Sequence, residues 1–415
     1  MEGYQTYWDI VWKQFRANRP AYRAVWALAP VVAVAVFAPL ICSNEPLVFW
    51  DGQKWLFPWI RTLFNPPEPV DFLFNMALLA FPFWLTFSLW QNRRRKARGY
   101  SAGRRLWFAS LEYSVATILL CGIFSFAALR PANSYATRTF AAEQFESKGA
   151  KHGVYVLVPF GPGEQDFLGA DNRGPLFRKP AAEWRESNDG FPHLFGTDDS
   201  GRDVFTRMVY ATRLSITVGI VAVGIYLTIG CILGAAAGYF GGRLDILISR
   251  VIEVVLLFPS FFLILTLVAL IGPSIYIIMF VIGITGWPTI ARMIRGEVLK
   301  QRSSDYVSAA QALGFSHVRV IFRHILPNSL APALVAAPFG IANAITTEAS
   351  LSLLGFGVRP PAPSWGNILR LGYQNDSLWW LVLVPALAIF LTVTIFNLIG
   401  SGLRDAMDPR LRSTR

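Results

Sequence analysis

Charge is scarce in this chain. Of its 415 residues, 15% are Asp, Glu, Lys or Arg, against about 25% in a soluble globular protein. With 53% hydrophobic residues, 14 Trp and 32 Phe, the deficit points to an integral membrane protein and away from a string of soluble domains. Cysteine and histidine are scarcer still. Cys42, Cys121 and Cys231 lie far apart in apolar runs, and His152, His193, His317 and His324 fall at no ligand spacing. A disulfide frame, a zinc motif, and any other metal or cofactor are therefore not expected. No G-x-x-x-x-G-K-[ST] phosphate loop occurs, so a nucleotide site and covalent chemistry are not expected of this chain. The first apolar run, 25–41, follows a charged start with no convincing small-residue cleavage site. It reads as an anchor that stays.

What is present is a series of long apolar runs. A crossing needs roughly 20 apolar residues in a helix. Runs of that kind fall near 24–42, 71–90, 106–129, 212–238, 246–271, 274–294, 328–354 and 379–403, which predicts an all-α polytopic bundle of about eight spans. The net charge of +12 is placed by the loops. Residues 91–105 hold seven Lys or Arg and no acid, and 292–323 hold six against two. The first 23 residues hold four against two, as does the tail from Arg404. With eight spans these segments share one side, and the basic bias makes that side cytoplasmic, both termini included. The segment 130–199 then lies outside. It has eight basic and ten acidic residues, is rich in Pro and Gly, and is expected to form an irregular cap. Its interleaved acids argue against nucleic acid.

One polar stretch interrupts the apolar pattern: "SSDYVSAAQALGFSHVRVIFRHILPN", residues 303–328. Ser303 or Ser304 can cap a helix starting near Asp305, whose charge suits the helix dipole. Tyr306, Ala309, Ala310 and Leu313 follow at helical spacing. Gly314 can take the left-handed conformation that ends such a helix. Ser316 can cap a second helix, 318–326, that leads into the next span, with Pro327 in the span's first turns. The stretch is a connector or a docking element for a cytoplasmic partner.

"AAQALG" followed by "ILPN" resembles the EAA loop of ABC importer permeases. Ala309, Ala310, Gly314, Leu326 and Pro327 match the pattern, while Ser308 stands where it has Glu and His324 where it has Ile. "HLFGTDDSGRDVFTRMVYATRLSITVG", "GYFGGRLD", "DYVSAAQALGFS" and "EASLSLLGFGVRPPAPSWGNIL" resemble, in the same order, the C-type permease subunit of oligopeptide and dipeptide ABC transporters. The resemblance covers 193–412 and, less closely, 8–42, but not 50–130. It implies a type I ABC importer permease core in a bacterial inner membrane. It also implies a second, related permease subunit, two ATPase subunits and an external solute-binding protein as partners, with the 303–327 loop seated in an ATPase groove. The expected divisions are 1–49, an added pair of spans in 50–130, an external segment 131–211, the core 212–404 with its loop 295–327, and a tail 405–415. The competing reading is an ATP-independent secondary transporter or channel, which calls for intramembrane acids in several spans.

Glu348, inside "ANAITTEASLSLLG", is the acid set deepest in a span. It lines the translocation path or joins helices. Arg250 and Glu253 are expected to pair. "GTDDSGRD", 196–203, misses the calcium-loop spacing and reads as a turn.

Overall fold

The computed structural model describes residues 7–408 except 67, 98, 101, 127–129, 131–139, 148–149, 166–171, 182–185, 187–189 and 376. The part of the tail beyond 408 lies outside the described residues.

A short amphipathic helix, α1 (Tyr7–Ala17), leads into α2 (Arg19–Ile41). The Asn18 side chain caps α2 by accepting from Ala21 N at 3.3 Å. After α2 follow strands β1 (Val48–Trp50) and β2 (Trp55–Leu56) and helix α3 (Pro58–Phe64). The added pair is α4 (Pro69–Ala97) and α5 (Ala102–Ser125). The described part of the segment expected outside holds α6 (Phe140–Glu146) and strand β3 (His152–Val154). The strands form one sheet in the order β2-β1-β3, both pairings antiparallel. The loop before α4 and the segment after α5 therefore meet on one face, as two added crossings require.

The core begins with α7 (Val204–Phe240), α8 (Gly242–Leu257), α9 (Ser260–Ile271) and α10 (Ile275–Arg302). Next come α11 (Asp305–Ala312), α12 (His317–Arg319), a π-helical stretch Val320–Ile325 and α13 (Leu326–Ser329). It ends with α14 (Ala331–Leu353), α15 (Trp365–Tyr373) and α16 (Trp379–Met407). The chain is thus all-α with a small sheet in its irregular cap. Among the described residues, six helices are long and apolar enough to cross a membrane, or eight if each of two bent pairs counts as one crossing.

The runs expected at 246–271 and 328–354 are bent. The pair α8–α9 turns by 85°, and the pair formed by His317–Ser329 and α14 by 62°. Proline causes the first: Phe258, before Pro259, is extended (φ −86°, ψ 131°), as a residue ahead of proline prefers. Pro332 stands in the first turn of α14, where its missing N–H is harmless to the new helix but cannot continue the old one.

The centre of the bundle is α7 against α10. Helices come close where side chains are small: a Cβ on Gly234 would lie 2.5 Å from the Ala291 carbonyl oxygen, so only glycine permits this approach. Against this pair pack α14, α15 and α2, with α16 on α14, α15 and α2, while α4 leans on the edge at α2 and α7 and carries α5 on its other side. Val11 and Phe15 of α1 pack with Ala406 and Met407 of α16, and Asn18 Nδ2 donates to Asp405 Oδ2 at 3.0 Å. The two ends of the described chain thus share one face.

A topology test follows. In a chain with its three native cysteines replaced, Arg93→Cys should resist a membrane-impermeant thiol reagent in intact cells. Gln165→Cys, exposed in the cap, should be labelled. Labelling of both from outside would break the eight-crossing arrangement.

Candidate functional site

The polar stretch after α10 folds as a compact hook. Lys300 and Arg302 close α10, and Asp305 opens α11, each charge at the helix end whose dipole favours it. Ser304 occupies the cap position without a side-chain bond; Ser303 Oγ instead donates to Lys300 O at 3.0 Å. Gly314 has φ +75°, the left-handed conformation expected of it. Phe315 N then donates back to Ala310 O at 3.2 Å. Ser316 caps the second helix, accepting from Arg319 N at 3.4 Å.

That second helix runs His317–Ser329, longer than expected, and widens into a π turn just ahead of Pro327. Proline donates no bond to the turn before it, and its ring crowds the carbonyl four residues back, so the helix opens there.

Packing splits the residues singled out in the loop. Ala310 is 4% exposed and sits with Val307, Val320, Ile321 and Ile325 in a cluster shared with Tyr239 of α7 and Val298 of α10. Leu326 packs partly against the same cluster. Ser308, Ala309, Gly314 and Pro327 are exposed. Beside them stand residues that the sequence reading did not assign to the surface: Leu313, 73% exposed, Val318 and Phe322. Tyr239 ties the hook to the bundle, and a separate ion pair joins two of the bundle's helices. Tyr239 Oη lies 2.8 Å from His317 Nδ1 and accepts from Gln311 Nε2 at 3.2 Å. Arg295 of α10 grips Asp245 of α8 with two nitrogens, Nη2 to Oδ2 being 2.7 Å. The result is an apolar, outward-facing knob fixed to the ends of α7 and α10.

Glu348 is wholly buried. Its Oε1 accepts from Ser352 Oγ at 2.7 Å, and that hydroxyl lies 3.4 Å from Ser364 Oγ. Ser364 in turn caps α15 by accepting from Asn367 N at 3.0 Å. A Cβ on Gly366 would lie 2.7 Å from the Ala349 Cα, so α14 and α15 touch at this point. Oε1 thus sits at a helix junction, while Oε2 is buried without a hydrogen-bond partner among the described residues. Glu348→Gln keeps an oxygen for Ser352 and should leave the amount of folded protein near wild type. Glu348→Leu strands the hydroxyl and should lose about 1–3 kcal/mol of stability. Fluorescence-detected size exclusion after graded heating reads the difference; identical melting of both variants would remove Glu348 from this junction.

A buried polar centre escaped the sequence reading. Arg213, 1% exposed, lies in the outer part of α7. Its Nη1 donates to Asp71 Oδ1 at 2.9 Å and Asn75 Oδ1 at 3.0 Å, and its Nε to Ala35 O at 2.6 Å. One guanidinium thus ties the core helix α7 to α2 and to the added α4. The only available sign was an arginine inside the apolar run 212–238. Beside it opens a cavity of about 430 Å³, lined among others by Glu45, Trp59, Asp71 and Tyr210. Glu45, outside the spans, has its carboxyl pushed up to about 7 by burial.

Nearer the cap, Asp198 Oδ1 accepts from Ser200 N and Arg202 N, each at 3.0 Å, and Oδ2 from Arg202 Nε at 2.7 Å. Asp203 caps α7 through Thr206 N at 2.7 Å and lies 2.9 Å from His193 Nδ1. The acidic run is a self-satisfied turn. Arg250 and Glu253 pair at 2.7 Å on an exposed face.

Two family profiles match the chain: binding-protein-dependent transport system inner membrane component over 228–413, and the N-terminal TM domain of oligopeptide transport permease C over 6–56. The added pair lies between them, outside both. Among curated proteins the chain is similar to the dipeptide transport system permease protein of Alkalihalophilus pseudofirmus. The two are 46% identical over 222 residues, 53% of this chain and 73% of that protein. The corresponding Escherichia coli protein is 44% identical over 280 residues, 64% and 90% of the two chains. A putative peptide transport system permease protein of Brucella suis is 42% identical over 225 residues, 54% and 75%.

Proposed function

Since this chain belongs to the family of binding-protein-dependent transport system inner membrane components, whose permeases work with ATPase subunits and a solute-binding protein, we propose that its cargo is a dipeptide or short peptide. It would form half of the path beside a second, related permease. The similarity to dipeptide permeases supports the cargo. The observation that carries the mechanism is the hook. Ala309, Leu313, Val318 and Phe322 form an exposed apolar surface on the side set by the basic loops. An apolar patch of this kind marks a protein contact, and an ATPase groove is the contact this family requires.

In this reading Ser308, Ala309 and Gly314 touch the ATPase. Ala310 and Leu326 brace the hook from within, and Pro327 sets the direction of the return helix. When ATP draws the ATPases together, the hook moves as one piece. Its ties at Tyr239 and its packing on Val298 pass that movement to α7 and α10, which cross the bundle to the external face. The two broken crossings supply the hinges. Glu348 then holds α14 to α15 during the motion.

The test is reconstitution in liposomes with the neighbouring ATPase and permease genes' products. Uptake of a labelled dipeptide should require both ATP inside and the solute-binding protein outside. Uptake driven by an ion gradient without ATP would favour a secondary transporter and end this reading.

A further inference from the structure

The added pair ends, on the basic side, in a feature that helix stability does not explain. The last turn of α4 holds Arg94, Arg95 and Lys96, and cations suit a helix C-terminus. The start of α5 reverses that logic. Its first turn has no acid, yet Arg104 and Arg105 stand there, where the dipole is already positive and favours anions. Glu112 pairs with Arg95. Arg93, Arg94 and Lys96 remain exposed. The hairpin therefore concentrates positive charge that folding of the pair alone would oppose.

Its shape says what kind of anion fits. Phe83, Phe87, Trp90 and Arg94 follow at spacings of four, three and four, one stripe along α4. The three aromatic residues are exposed on the bundle's edge, and the Arg94 guanidinium lies over the Trp90 ring, 3.6 Å from its centroid. On α5, Trp107, Leu111 and Ile118 are also exposed. An apolar stripe thus runs along α4 to a cluster of cations, with Trp90 and Trp107 close to the cations in sequence, as residues that anchor a membrane interface are. A phospholipid has the same order, acyl chain and then phosphate. An acidic protein segment would use the charges but leave the stripe without purpose.

We infer that the cytoplasmic end of α4 is a binding site for an anionic phospholipid, its phosphate held by Arg93, Arg94 and Lys96 and its chain lying along Phe87 and Phe83. The proposal needs only that the pair spans the membrane and is independent of the cargo.

The experiment places the full-length chain in nanodiscs of phosphatidylcholine with a minority of phosphatidylglycerol. The protein is then extracted gently and its retained lipid counted by native mass spectrometry. Each basic group close to an anionic surface contributes roughly fivefold in binding, so three should give at least about tenfold enrichment of phosphatidylglycerol over its bulk share. Arg93→Gln with Arg94→Gln and Lys96→Gln should return it to the bulk share. Arg93→Lys with Arg94→Lys should retain most of it. High salt should displace the lipid from the unaltered chain, an arm that does not depend on any variant folding. Bulk-level phosphatidylglycerol on the wild type, or full enrichment on the triple variant, overturns the proposal. So does a triple variant that keeps its lipid but loses ATPase in a pull-down, which would assign the surface to an acidic protein segment.

Discussion

Arg213→Met is expected to cost this protein most of its recoverable fold. The guanidinium is buried and holds Asp71, Asn75 and the Ala35 carbonyl at once. Methionine fills much of the same volume, so the loss is electrical rather than steric. Asp71 is left with no cation on the wall of the cavity it lines. Removing one member of a buried pair costs about 3–5 kcal/mol, because the remaining charge stays uncompensated. That is a large fraction of the stability of a typical domain. Asp71→Asn alone should be milder, since an amide oxygen can still accept from Arg213. Arg213→Met combined with Asp71→Leu should recover part of the loss, as apolar replacement of a whole buried pair often does. The readout is the thermal midpoint of the detergent-solubilised chain, with yield beside it. A single Arg213→Met variant that melts with the wild type would show that the three-helix tie carries no stability.

Leu313→Asp should separate the chain from its ATPases while leaving it inserted and folded. Leu313 is 73% exposed and lies just past α11, at its C-cap, so the substitution removes little of the chain's own packing. At an interface it would bury a carboxylate in an apolar groove. Central contact residues of that kind are worth about 2–4 kcal/mol, roughly 30- to 1,000-fold in affinity. Ala310→Trp should act differently. Ala310 points inward, so overpacking there, at about 1–3 kcal/mol, should loosen the hook and lower the melting point as well as the binding. Gly314→Val should resemble Ala310→Trp, because φ +75° opposes a branched side chain. Arg319→Gln is the mild control; it gives up only a stacking contact with Phe315, 4.2 Å to the ring centroid. Pull-down of the ATPase subunits, with melting of the free chain measured in parallel, reads both effects. Full ATPase binding by Leu313→Asp would leave the hook a mere connector.

Much of this protein is decided by rules that act over a few residues. Apolar runs of sufficient length had to become membrane helices, since no other open structure satisfies the backbone in lipid. The basic loops chose the side, and a lone Gly314 between two capped patterns had to end one helix and permit another. Those features were legible in the sequence, together with the resemblance that the family match established. What the chain does with its polar residues was not. Ala309 and Ala310 are adjacent and chemically alike, yet one is exposed and the other buried, because the ends of α7 and α10 cover only one face of α11. Arg213 looked like an intrusion into an apolar run. It is an anchor because Asp71, 142 positions away, arrives on an added helix that the family profiles do not cover. Glu348 has Ser352 beside it on its own helix, but Ser364, 3.4 Å from the Ser352 hydroxyl, comes only with the return of the chain to α15. Hydropathy and propensity are sums over neighbours in the chain, whereas the cost of a buried charge depends on which distant segments meet it. Only the folded bundle brings those segments together.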